Sequence, residues 1–171
     1  TKSLEYYADA LSYLGAVSAA SNADIAQGLQ SFAATANTVG LSYEYATAAL
    51  TTLVDKTQQS ASTIGNSLKT IFARLESLKL GETLEDGVDL TKYTQALSTV
   101  GVEVLDTNGE LRDMDSILDD LASKWDTLSR AQKNALAQTV GGVRQYTTLI
   151  SLMDNWDSME TNLATAKGSS G

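Results

Sequence analysis

Apolar residues recur at helical spacing in four windows of the 171-residue chain. Ile25, Leu29, Phe32, Ala33, Ala36 and Val39 advance by +4, +7, +8, +11 and +14, and Ile64, Leu68, Ile71, Phe72, Leu75 and Leu78 repeat the same offsets. A third series runs through Met114, Ile117, Leu118, Leu121 and Trp125, and a fourth through Tyr146, Leu149, Ile150, Met153, Trp156 and Leu163. Residues three and four apart share one face of an α-helix, so each series predicts one buried stripe on an amphipathic helix.

Turn residues divide these stripes. The triplet Thr-Val-Gly ends at Gly40, Gly101 and Gly141, and the first two copies are followed at once by an apolar residue, Leu41 or Val102. A glycine just past a helix end adopts the left-handed conformation that closes the last carbonyls, while the next apolar side chain packs back on the final turn. Ser21 or Asn22, Ser42 and Ser129 can cap helix starts, and Gln132 three residues after Ser129 completes a capping box. These signals predict helices at 4–19, 23–38, 43–57, 61–78, 91–99, 113–125, 130–140 and 143–165.

Two stretches break the helical period. The run from Gly81 to Asp89 holds two glycines and four acids and predicts a solvated, mobile acidic loop. Residues 102–112 alternate apolar and polar positions around Asn108-Gly109, the signature of a tight hairpin, and predict a small β-hairpin resting on helices. The expected fold is mainly α, a multi-helix bundle or jointed helical array of about 7–8 helices with that one hairpin. The expected organisation is an N-terminal helical subdomain at 1–79, the acidic loop at 80–90, a C-terminal helical subdomain with the hairpin at 91–165, and a flexible tail at 166–171.

Composition narrows the chemistry. The chain has no proline, where average usage of about 5% predicts roughly eight, and this favours helices joined by tight turns. It also has no cysteine and no histidine, which excludes Ser-His-Asp and Cys-His nucleophiles, the usual nitrogen and sulfur zinc sites, haem ligation by histidine and thiol redox chemistry. The missing disulfides fit a reducing cytoplasm. Hydrophobic residues make up 43% of the chain, enough for a core, and the formal net charge is -9 with scattered basic residues, so no nucleic-acid site is expected. No apolar run is long enough to span a bilayer, and no signal peptide is visible at the amino end. The missing initiator Met and the terminal Gly168-Ser-Ser-Gly171, native or not, suggest an excerpt of a longer protein.

Each motif that invites a chemical reading has a plainer one. Asp106-Thr-Asn108-Gly109-Glu110 resembles the start of a calcium loop, but in that register Leu111 stands where Gly is required and Ile117 where a bidentate Glu is required, so a hairpin turn is expected. Glu103 to Asp126 holds eight acids and two bases, yet the adjacent Asp119 and Asp120 diverge by about 100° on a helix and cannot converge on one substrate as glycosidase carboxylates do. A solvated acidic face is expected there. Trp125 and Trp156 read as core anchors, and Gly141-Gly142 before Arg144 as a helix stop followed by a surface cation. No phosphate loop, dinucleotide fingerprint or Ser-x-x-Lys is present. The chain is therefore expected not to be an enzyme, with no catalytic, cofactor-binding or metal-binding residues and no cofactor.

The order of motifs resembles a known family. Ser21-Asn-Ala-Asp-Ile-Ala-Gln-Gly-Leu-Gln30, the stretch from Ala36 to Leu50 and Ser60-Ala-Ser-Thr-Ile-Gly-Asn-Ser-Leu-Lys-Thr-Ile-Phe-Ala-Arg-Leu75 closely resemble the core region of phage tail tape measure proteins of the TP901 type. Val100-Gly-Val-Glu-Val-Leu-Asp-Thr-Asn-Gly-Glu-Leu-Arg112, Leu121-Ala-Ser-Lys-Trp125, Lys133-Asn-Ala-Leu-Ala137 and Gly142-Val-Arg-Gln145 follow in that family's order, and the acidic loop at 81–90 departs from its pattern. The resemblance covers roughly residues 9–155. It implies a phage or prophage structural protein that fixes tail length, occupies the tail tube lumen after assembly in the host cytoplasm, and leaves ahead of DNA at infection. It also implies tail tube, tail tip or baseplate, and tail assembly chaperone proteins as partners, with self-association. The rival reading is a cytoplasmic helical interaction module that binds a partner helix through an apolar stripe; Ala33, Ala36, Ala46 and Ala49 would suit such close approach. The glycine stops exclude one continuous rod, so a jointed module whose helices rearrange between compact and extended forms is expected.

Overall fold

A computed structural model describes residues 22–169, which form eight helices. They are α1 (Asn22–Thr38), α2 (Tyr43–Thr57), α3 (Ala61–Lys79), α4 (Leu90–Ser98), α5 (Met114–Trp125), α6 (Arg130–Gly141), α7 (Tyr146–Asp154) and α8 (Trp156–Ser169). The mainly α fold expected from the periodicity is the fold observed. The helix expected at 4–19 lies outside the described residues.

Caps set most boundaries. Ser42, Ser60 and Ser129 each accept the backbone N–H three residues on, and Gln132 returns its side chain to the Ser129 N–H at 2.9 Å, closing the capping box. At the first two Thr-Val-Gly triplets, Gly40 (φ 79°) and Gly101 (φ 84°) are left-handed. The Leu41 N–H then reaches back to the Ala36 carbonyl at 2.8 Å and the Val102 N–H to that of Leu97 at 3.0 Å, and both apolar side chains are buried.

The central contact is between α1 and α3, whose backbones meet at Gly28 and Gly65; a Cβ at Gly65 would lie 2.4 Å from the Gly28 carbonyl oxygen. Phe32 and Phe72 pack beside this crossing with ring centroids 6.0 Å apart. Helix α2 lies against α1 and against α8, while α6 packs on α7 and α3. One hydrophobic cluster, from Ile25 to Met159, includes residues on both sides of the 80–90 loop.

Several expectations are corrected. The predicted hairpin at 102–112 is reduced to a single antiparallel bridge between Leu105 and Leu111. The Asp106 carboxylate accepts the N–H groups of Asn108 (2.8 Å) and Glu110 (3.0 Å), so a side chain tightens the turn and little ladder is left. The third triplet does not stop its helix at Gly141, which stays helical; Gly142 (φ 87°) does. The helix predicted at 143–165 is two helices: the backbone leaves helical geometry at Asn155 (φ -111°, ψ 31°), whose N–H is shared between the Ser151 and Leu152 carbonyls and whose side chain also donates to the Ser151 carbonyl at 2.8 Å. Ala33, placed on the buried stripe by its spacing, is exposed, whereas Ala36, Ala46 and Ala49 are buried. The last helix runs to Ser169, so Ala166, in the expected tail, is buried. The acidic loop folds back on itself through a Leu84 N–H bond to the Val88 carbonyl at 2.8 Å, and both of these side chains pack against the core.

Candidate interaction surface

The acidic segment that follows the Leu105–Leu111 bridge is tied to the turn between α1 and α2. The Met114 N–H donates to the Val39 carbonyl at 2.9 Å, and the Asp115 carboxylate accepts the Ser42 N–H at 3.1 and 3.3 Å. One turn on, the Tyr45 hydroxyl donates to Asp119 at 3.0 Å. Burial and the nearby carboxylates hold the Tyr45 hydroxyl protonated far above its ordinary range. Burial also pushes the Asp115 carboxyl up to about 6, helped by Asp119 and Asp113 and opposed by the Ser42 hydrogen bond.

That shift has a stability consequence with a definite sign. An acid whose folded pKa lies above its unfolded value binds its proton more tightly when folded, so its contribution is full below the unfolded value of 3.8 and is lost as pH rises through about 6. Asp115→Asn keeps an acceptor for Ser42 and removes the charge. Because the site is partly open to solvent, the variant is expected to melt about 1–3 °C above the parent at pH 7.5, with a gap that narrows as pH falls through about 6 and closes only below 3.8. Thermal melts across this range check it; a variant less stable at neutral pH contradicts it.

A second anchored surface surrounds Arg74. Its Nη2 donates to the Thr139 carbonyl in the last turn of α6 at 2.7 Å and pairs with Asp86 of the acidic loop at 3.1 Å. A cation suits a helix carboxyl end, where carbonyls lack partners. Gly142 packs against this guanidinium; a Cβ there would stand 3.2 Å from Nη1 in a left-handed backbone. Exposed Arg144 shares the resulting hollow of about 460 Å³ with Arg74.

The residues flagged by sequence separate accordingly. Asp119 serves Tyr45, whereas Asp120 pairs with Arg112 at 2.7 Å, so the adjacent carboxylates do diverge. Trp125 is a core anchor whose Nε1–H donates to Asp154 at 2.8 Å, while Trp156 is only half-buried and lies 6.1 Å from the Tyr45 ring. Sequence reasoning missed Tyr45 and Arg74, because a single Tyr or Arg in an amphipathic helix carries no pattern. Gly28 and Gly65 did carry one, since glycine inside a helix costs about 1 kcal/mol relative to alanine and needs a packing reason.

Helices α5 and α8 both lean on Tyr45 of α2, yet they scarcely touch each other and leave a cleft of about 680 Å³. At both anchored surfaces the helices are braced by buried contacts and by the carboxylates of Asp115, Asp119 and Asp86, which hold a turn, a tyrosine and an arginine. A family model described as phage-related minor tail protein matches residues 1–142. The chain belongs to this family. As a phage tail protein it owes to the matched stretch α1 through α6, including the α1–α3 crossing and the Asp115 anchor, while α7 and α8 follow it. No solved structure matches the tail protein. No helix among its described residues is long and apolar enough to cross a membrane.

Proposed function

We propose that the segment belongs to a tail tape measure protein of the TP901 type, a non-enzymatic structural element that takes part in tail assembly, tail-length determination and DNA passage. It would be made in the host cytoplasm and come to lie in the tube lumen, meeting tail tube, tip or baseplate and chaperone proteins and other copies of itself. The observation that carries this reading is the tail-family match over residues 1–142, the stretch that holds nearly all the tape-measure-like motifs. A structural role is further supported by the acids, since Asp115, Asp119, Asp120 and Asp154 each hold a neighbouring helix, turn or side chain in place.

Electron microscopy of particles from the parent phage carrying an in-frame deletion of residues 22–169 tests the proposal. Tails are expected to fail to assemble or to shorten, by at most about 220 Å if the helices string out end to end at about 1.5 Å per residue. Infectious particles with tails of unchanged length would overturn it.

A further inference from the structure

We propose that the cleft between α5 and α8 is a docking groove for a cationic amphipathic helix of a partner protein. Tyr45 braces the two walls, its hydroxyl on Asp119 of α5 and its ring beside Trp156 of α8, so the cleft has a fixed floor. The lining is mixed: half-buried Trp156 and Leu163 present a narrow apolar strip, with Met153 and Met159 buried beneath them. The rims carry Asp126 just past α5 and Asp157 and Glu160 on α8, all exposed, with carboxylates that make no hydrogen bond or ion pair among the described residues. Lys167 is the only cation lining the cleft among the described residues.

Size and charge select the occupant. One turn of an α-helix, about 10–12 Å across and 5.4 Å high, fills roughly 400–600 Å³, so the cleft of about 680 Å³ takes between one and two turns. The Trp156 and Leu163 strip between two acidic rims complements a helix whose apolar stripe is flanked by Lys or Arg. A second copy of this chain is a poor match, because its net charge of -9 would bring acid against acid. Such docking would hold whether or not the parent chain measures tail length.

The test titrates the 171-residue chain with a fluorescein-labelled amphipathic Leu–Lys helical peptide, read by fluorescence anisotropy at low and high salt. Saturable one-to-one binding that weakens with salt is expected. Asp126→Lys/Glu160→Lys, one change on each rim, should weaken it at least about tenfold, and Leu163→Gln should weaken it without changing the salt dependence. Glu82→Lys/Glu85→Lys makes the same change in net charge on the exposed 80–90 loop and should leave affinity within about twofold. Circular dichroism confirms folding of each variant, whose substituted acids are exposed. Equal weakening by the two charge-reversal pairs would show diffuse attraction and overturn the proposal, as would equal binding of a Leu–Glu peptide, absence of saturable binding, or a self-associated chain with the cleft closed by a second copy.

Discussion

Gly65→Ala is expected to destabilise the protein by about 2–3 kcal/mol, although alanine is the better helix former. The new Cβ would stand 2.4 Å from the Gly28 carbonyl oxygen and 3.1 Å from its Cα. Both obstacles are backbone of α1, which cannot rotate away, so the two helices must separate and the packing around Phe32 and Phe72 must loosen. Overpacking of this kind costs about 1–3 kcal/mol and occasionally more, against a gain in helix propensity of at most about 1 kcal/mol. A fall in melting temperature of roughly 5–10 °C follows for a domain of this size. Gly168→Ala is the internal control, because Gly168 is helical and a Cβ there meets nothing within 4 Å. Calorimetry should show that variant unchanged or slightly more stable. If both alanines raised the melting temperature alike, α1 and α3 would not approach as closely as Gly28 and Gly65 require.

Trp125→Ala carries the other large effect, a loss of about 3–5 kcal/mol. The side chain is 1% exposed and closes the carboxyl end of α5, with its Nε1–H on Asp154 and Lys133 Nζ 5.4 Å from its ring centroid. Truncation removes the apolar area and leaves a cavity between α5, α6 and α7. Trp125→Phe separates the contributions: it keeps most of the ring and loses one hydrogen bond to an exposed carboxylate, a cost of about 1–2 kcal/mol. Urea unfolding of both variants checks the order. A loss under about 1 kcal/mol for the alanine variant would contradict a core anchor at this position.

The stripes and caps were legible because local chemistry specifies them. Ile64, Leu68, Ile71, Phe72, Leu75 and Leu78 are all buried, and Ser42, Ser129 and the glycines at 40 and 101 act as their patterns predict. What failed was decided by competing or long-range contacts. The Asp106 carboxylate takes over the turn that Asn108-Gly109 would have made into a hairpin, and Asn155 divides a stripe whose apolar period continues through Trp156. Ala33 fits the spacing of its stripe, but the face of α1 set against α3 is fixed by Gly28 and Phe32, which leaves Ala33 in solvent. The candidate surface was half legible. Its acids were visible in the chain, whereas their division between bracing and open rims depends on Tyr45, Ser42 and Arg112, which lie 74, 73 and 8 residues from their partners.

The central claim, that this fold is a structural part of a phage tail, is tested most directly by peptide mass spectrometry on purified tails of the parent phage. Peptides covering the α1–α3 region and the stretch from Val100 to Gln145 should be present in a fixed ratio to the tube protein. Intact, infectious tails that contain none of them would contradict it.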